Sequence, residues 1–207
     1  MNLRMFSFKT VLFVLFLYFI IKLIFHIYKQ KMKKDLVIKY NFLKTKDFQV
    51  LKSLLSKHTP APDPRTKERT SVCITDKEIN DLVYKYFKNA ENPPSFPIEY
   101  RKYSKGSKGM QMHKDMNLFN NHNYYEAVLT IENTSDSLFK YENKEISVPP
   151  NTLVLVKPNT VIHGVSPITK GYRTIIKFVV CDDCNGLENN NFINESKSCS
   201  RVNKKDI

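Results

Sequence analysis

His113-Lys114-Asp115 sets an imidazole and a carboxylate two positions apart. On an extended strand residues i and i+2 leave the same face, so the two side chains can converge on one point. Imidazole plus carboxylate is two-thirds of the facial set that holds non-haem iron(II) and leaves positions open for substrate and oxygen. The same triplet also suits a plain solvated strand, so the reading needs a third ligand. The chain has five histidines. His26 lies in an apolar N-terminal segment, His58 abuts the breaker Thr59-Pro60-Ala61-Pro62-Asp63-Pro64, and His122 sits in an Asn-rich loop. His163 remains, within the apolar run Val161–Val165.

Ten positions after His163 stands Arg173. A hairpin turn at Thr169-Lys170-Gly171 would bring the strand beginning near Tyr172 back beside the one carrying His163. Arg173 then points into the cavity of the metal. A guanidinium there offers bidentate pairing to a dicarboxylate whose other end chelates the ion. Alone on a strand, the same arginine would be an edge or surface residue.

The elements that must position these groups are mostly short strands. Period-2 and β-branched runs mark Ile98–Tyr103, Met110–His113, Tyr124–Glu132, Ser137–Tyr141, Lys144–Val148, Thr152–Val156, Val161–Val165 and Arg173–Val180. About eight such strands with Pro, Gly and Asn punctuation predict a sandwich or jelly roll. Upstream, Phe48, Leu51, Leu54 and Leu55 share one helical face within Lys44–His58. Thr75 or Asp76 caps a second helix with Ile79, Leu82, Val83, Tyr86 and Phe87 on one side. The expected organisation is an N-terminal segment 1–34, a helical lead-in 35–96, a β domain 97–182 and a polar, Asn-rich tail 183–207.

The formal net charge of +13 invites a nucleic-acid reading, but its distribution does not. Residues 1–58 hold 12 Lys or Arg against two acids, whereas the rest of the chain carries a net charge of only +3. Nucleic acid is therefore not the expected partner. Thr10 to Tyr28 gives 19 residues of nearly unbroken apolar character, interrupted by Lys22, against the ~20 that a bilayer span requires. The expectation is an uncleaved single-pass membrane anchor with a basic flank, in an endoplasmic-reticulum-type or other intracellular membrane. Flanking lysines favour a cytosolic domain, while the sequons at Asn133 and Asn194 favour a lumenal one, so the side stays open. Of the four cysteines, Cys181 and Cys184 have redox-like spacing but follow a strand instead of opening a helix. A disulfide or inert thiols are the readings left for them.

Together, His113-x-Asp115, His163 and Arg173 resemble the iron(II)- and 2-oxoglutarate-dependent dioxygenases. The phrase His163-Gly164-Val165-Ser166-Pro167…Lys170-Gly171-Tyr172-Arg173 is similar to the distal iron-binding strand of their prolyl 4-hydroxylase-like branch. Tyr103-Ser104-Lys105-Gly106 before Met110-Gln111-Met112-His113 resembles the lead-in to that branch's first ligand. The resemblance covers roughly Ile98 to Val180. It implies a mainly β fold with flanking helices, built on a double-stranded β-helix (jelly-roll) core. It implies Fe(II) held by His113, Asp115 and His163. It further implies 2-oxoglutarate paired by Arg173 with Tyr103 lining its pocket, O2 as second cosubstrate, and ascorbate as reductant.

The implied reaction is hydroxylation of a C–H bond, most readily in a prolyl side chain of a protein or peptide substrate. The intact carboxylate at Asp115 argues against halogenation, for which related enzymes leave that position open. Collagen-type prolyl hydroxylases usually have Lys where Arg173 stands, and their second lead-in tyrosine is Met110 here. Both departures weaken a collagen-like substrate. The alternatives are a nucleic-acid demethylase of the alkylation-repair type and a non-catalytic jelly-roll binding module.

Overall fold

The computed structural model describes residues 8–181 apart from 64, 65, 67, 89, 91, 92, 94, 95, 121 and 122. It divides into two compact units, 1–35 and 36–207. The first contains helix α1 (Phe8–Asp35), whose side chains are described for residues 12–24 and 35.

The expected membrane span is corrected here: among the described residues no helix is long and apolar enough to cross a membrane. The apolar side chains described run from Leu12 to Ile24 with Lys22 among them. The membrane localisation and the membrane as partner lose their support with it.

The second unit begins with β1 (Leu36–Lys39), α2 (Thr45–Leu55), β2 (Ala61–Pro62), β3 (Arg69–Ile74) and α3 (Lys77–Tyr84). It continues with β4 (Ile98–Tyr103), β5 (Met110–His113), β6 (Tyr124–Asn133), β7 (Phe139–Tyr141) and β8 (Lys144–Ile146). It closes with β9 (Leu153–Val156), β10 (His163–Val165) and β11 (Arg173–Cys181). Every strand pairing is antiparallel. Seven strands form a large sheet in the order β1-β9-β6-β11-β4-β3-β2, and four form a smaller one, β5-β10-β7-β8. This is a mainly β, jelly-roll arrangement with few helices.

Alternation along the strands explains what each face of the large sheet does. Ile98, Leu129, Ile131, Leu153, Ile176 and Phe178 share one face and join the buried core. Onto it pack Phe48, Leu51, Leu54 and Leu55 of α2 with Ile79, Val83 and Tyr84 of α3. Asp76 caps α3, accepting from the Glu78 and Ile79 amides at 2.8 and 3.4 Å. Residues of opposite parity, such as Arg101, Tyr103, Val128, Val154, Ile175 and Lys177, face a cavity that also touches the small sheet.

The lead-in is more than helical. Besides α2 and α3 it supplies β1, β2 and β3, which complete both edges of the large sheet. β1 pairs with β9 and β3 with β4. β1 and β2, of four and two residues, carry little periodicity of their own, and their partners hold them in place.

The expected hairpin between the His163 and Arg173 strands does not form either. β10 pairs with β5 and β7 in the small sheet, whereas β11 pairs with β4 and β6 in the large one. The connection turns through Gly171 at φ +71°, where a Cβ would lie 2.2 Å from the Thr134 carbonyl oxygen. It carries the chain from one sheet to the other. His163 and Arg173 therefore line one cavity from two different sheets.

Cys73 and Cys181 are each engaged in a disulfide. Cys184, Cys199, His122, the Asn194 sequon and the expected tail 183–207 lie outside the described residues. At the other sequon, the Asn133 amide donates to the Val148 carbonyl at 3.1 Å and its oxygen accepts from the Ser135 amide at 3.0 Å.

Candidate metal and carboxylate site

His113 ends β5 and His163 begins β10, and the antiparallel register sets them directly opposite each other. Their rings lie 4.7 Å apart. The register shifts between His163 and Val165, so that Met110, three residues before His113, faces Val165. In a regular strand a spacing of three puts two residues on opposite faces; the bulge restores both to one side. Gly164 makes this possible. A Cβ there would meet the Met110 carbonyl oxygen at 2.7 Å.

Asp115 lies past the end of β5, in a connecting segment and not on the strand as the two-residue spacing suggests. Its carbonyl accepts from the Asn159 amide at 2.8 Å. Three residues on, the Leu118 amide donates to the Tyr124 hydroxyl at 2.5 Å, and Leu118 and Phe119 are buried beside that ring. These contacts fix a loop that propensity alone would leave free.

The three side chains meet. Asp115 Oδ1 is 3.3 Å from His113 Nε2, and Oδ2 is 3.4 Å from His163 Nε2. One ligand atom from each residue lies within 4.8 Å of the others. Donors bound at ~2.1 Å to one shared ion stand about 3 Å apart when adjacent, so the set fits a small divalent cation.

Each imidazole is oriented the same way. Nδ1 of His113 lies 2.8 Å from the Gln111 carbonyl, and Nδ1 of His163 lies 3.1 Å from the Val161 carbonyl. In both rings this bond takes the Nδ1 proton and leaves Nε2 as a lone-pair donor. Burial lowers the His163 pKa, with the Asp115 charge opposing, so the ring favours the neutral form that a metal ligand requires.

A cavity of about 260 Å³ runs from this cluster into the sandwich, and Asp115, His163, Tyr103 and Arg173 all line it. Arg173 pairs with Tyr103 across β11 and β4, and Tyr103 pairs with Arg69 across β4 and β3. The three form one row on the cavity face. Sequence reasoning singled out Tyr103 and Arg173 but missed Arg69, Arg101, Glu126 and Lys177, which line the same cavity. The available signal was period-2 charge within otherwise buried strands, as in Glu99, Arg101 and Tyr103.

Charge matching inside the cavity leaves one cation over. Arg69 pairs with Asp63 at 2.7 Å, Arg101 with Glu99 at 2.5 Å and Lys177 with Glu126 at 2.8 Å. Arg173 is only 6% exposed, and among the described residues it forms no ion pair; its Nε has no hydrogen-bond partner. Burial pulls its pKa below the ordinary arginine value, partly offset by Tyr103, yet a guanidinium stays charged. Burial raises the Tyr103 phenol, but the charges and hydrogen bonds of Arg101 and Arg69 reverse this and leave it below the ordinary tyrosine value. A buried, unmatched cation is costly unless an anion completes it.

No protein-family model matches the sequence, and no curated protein matches it. Solved structures do share the fold. One is HygX from Streptomyces hygroscopicus with nickel, 2-oxoglutarate and hygromycin B bound, at 11% identity and a TM-score of 0.52, covering 71% of this chain and 82% of that one. A second is the viral collagen prolyl hydroxylase vCPH of Paramecium Bursaria Chlorella virus-1 in its 2-oxoglutarate complex. It is 12% identical with a TM-score of 0.52, covering 71% and 96%. A third is a Pseudomonas putida prolyl-4-hydroxylase, 12% identical with a TM-score of 0.51, covering 72% and 93%.

The structures that this chain resembles are thus 2-oxoglutarate- and iron(II)-dependent oxygenases, prolyl hydroxylases among them, as the sequence resemblance implied. At these identities the likeness establishes the fold and leaves the substrate to the site.

Proposed function

We propose that this protein is an iron(II)- and 2-oxoglutarate-dependent oxygenase that hydroxylates a C–H bond, with a prolyl side chain of a protein or peptide as its substrate. One observation carries the reading: a buried guanidinium without an anionic partner, Arg173, shares a cavity with the His113–Asp115–His163 cluster. That combination suits a dicarboxylate with one end on a metal and the other on an arginine.

In this reading His113, Asp115 and His163 hold iron(II), and Arg173 pairs the distal carboxylate of 2-oxoglutarate. Tyr103, beside Arg173 in register, donates its hydroxyl to the same carboxylate while Arg101 and Arg69 steady the phenol. With both bound, iron(II) and 2-oxoglutarate supply the oxidising chemistry: O2, 2-oxoglutarate and R–H become R–OH, succinate and CO2. Val128, Val154, Val156 and Ile175 line the cavity and limit water beside the reacting groups.

The test is incubation of the protein with iron(II), ascorbate, O2 and 2-oxoglutarate, with proline-containing peptides and alkylated oligonucleotides as separate substrates. Succinate formation with a 16-Da gain on a peptide is the expected result. Demethylation of the oligonucleotide would shift the substrate to nucleic acid. No succinate under any condition would leave a binding module.

A further inference from the structure

Arg173, Ile175 and Lys177 alternate along β11 and face the cavity together. The two cations stand four residues apart, which sets their Cα atoms about 13 Å from each other along the strand. Arg173 has Tyr103 opposite it on β4. Lys177 has Glu99 opposite it on β4 and Val128 opposite it on β6. Glu99 pairs with Arg101, and Lys177 pairs with Glu126 at 2.8 Å. Glu126 lies opposite Val179, two residues further along β11 than Lys177. The ion pair therefore draws the ammonium away from Arg173, towards the other end of the cavity floor.

That end is the metal end. Lys177 is among the charges that act on His163, and Glu126 and Asp115 both act on the Tyr124 phenol. At Arg173 the acting group is Tyr103. The Lys177 and Glu126 side chains are only 15% and 6% exposed. Their cross-strand neighbours on the cavity face include Val128 and Val156. Replacing a buried ion pair by apolar residues of similar volume is often neutral or stabilising, so stability does not account for two charges in this stretch of wall. An ammonium carries three N–H donors, more than the Glu126 bond uses.

We infer that Lys177, steered by Glu126, is a second cationic anchor of the cavity, an assignment that rests on the proposed function. It holds the carboxylate at the metal-binding end of a dicarboxylate whose far end lies on Arg173. Glu126 is a positioning residue: it touches no ligand and sets where the ammonium stands. Two cations on one face of one strand thus grip the two ends of the cosubstrate, and the metal cluster chelates it from the small sheet.

Titration of the cobalt(II)-loaded full chain with ligand, followed by its visible absorption, reads binding without turnover. 2-Oxoglutarate carries both carboxylates, whereas 2-oxobutyrate carries only the one beside its oxo group. Lys177→Met should weaken both ligands about tenfold or more, the effect of a lost charge partner. Arg173→Ala should weaken 2-oxoglutarate at least as much and leave 2-oxobutyrate binding as it does to the parent. Glu126→Gln should weaken both ligands by a smaller factor, about threefold. Glu126→Leu combined with Lys177→Met replaces the pair by apolar residues of similar size. This double variant should unfold no lower than the parent, hold cobalt, and bind both ligands as weakly as Lys177→Met.

Lys177→Met that binds 2-oxoglutarate like the parent, or that loses 2-oxoglutarate and keeps 2-oxobutyrate, would overturn the second anchor alone. So would a double variant with the parent's ligand affinity. Loss of cobalt binding in the double variant would assign the pair to the scaffold and overturn the anchor as well. A parent protein that binds no cobalt, or no 2-oxoglutarate once loaded, would overturn the proposed function, and the anchor would fall with it.

Discussion

Arg173 on β11 stands directly opposite Tyr103 on β4, 70 positions apart in sequence, and both side chains line one cavity. The pairing brings a phenol to a buried guanidinium that has no carboxylate of its own among the described residues. In the proposed function this pair holds the distal carboxylate of 2-oxoglutarate.

Replacing Arg173 with Ala should raise the Michaelis constant for 2-oxoglutarate at least about thirtyfold, the effect of removing one partner of a buried charge pair. Arg173→Lys should fall between, because a point charge replaces a two-pronged donor. Steady-state succinate kinetics measure both. An unchanged constant in the Ala variant would move the cosubstrate site elsewhere.

Tyr103→Phe removes one hydroxyl and keeps the ring. The same constant should rise about tenfold, in line with a lost hydrogen bond to a charged group. Cobalt affinity, measured by calorimetry, should not change. In the parent protein the Tyr103 phenol should ionise below the ordinary tyrosine range, seen as an ultraviolet difference titration absent from Tyr103→Phe.

His163→Ala should cost at least about a hundredfold in cobalt(II) or iron(II) affinity, since it removes one of only three donors. His58→Ala, away from the cluster, should cost nothing. The opposite pattern in a metal titration would refute the ligand set.

Gly164→Ala tests the bulge that aligns the two histidines. The added methyl would sit 2.7 Å from the Met110 carbonyl oxygen and 3.1 Å from Met112 Sδ, so β5 must move. Thermal unfolding should show a loss of about 1–3 kcal/mol, typical of overpacking, and metal affinity should fall with it. Full metal affinity in the variant would show that the register shift does not set the cluster.

Asp136 ties the segment after β6 to the crossing before β11. It accepts from the Thr169 hydroxyl, and from the Thr169 and Lys170 amides at 2.9 and 3.3 Å. These bonds, the Thr169 hydroxyl foremost, hold its pKa down to about 2 from 3.8, with burial opposing. A folded pKa below the unfolded one gives a contribution present above pH 3.8 and lost as pH falls through about 2. Denaturation measured between those limits should show stability falling with pH, and Asp136→Asn should flatten that slope. Identical slopes would remove the role.

Much of the site is local enough to be legible in the chain. His113-x-Asp115 and the segment from His163 to Arg173 carry the residue types and the order, and alternation marks the strands that bear them. Local pattern also suffices for α2 and for α3 with its Asp76 cap. What the sequence leaves undetermined depends on partners far along the chain. β1 and β2 are too short to show a period, and β1, β3 and β2 become strands because β9, β4 and β3 respectively offer edges to pair with. The turn at Gly171 is visible in the sequence, but whether it closes a hairpin or crosses between sheets depends on which edges β10 and β11 find.

Arg69 and Arg101 look like surface charges until cross-strand register sets Arg69 beside Tyr103 and parity sets Arg101 on the same face. The apolar run near the N-terminus likewise suggested a span that the described helix does not supply. Residue type and order therefore specify which groups can do chemistry. Only the tertiary structure decides which of them meet, because register and sheet assignment follow from pairing energies summed over the whole sandwich.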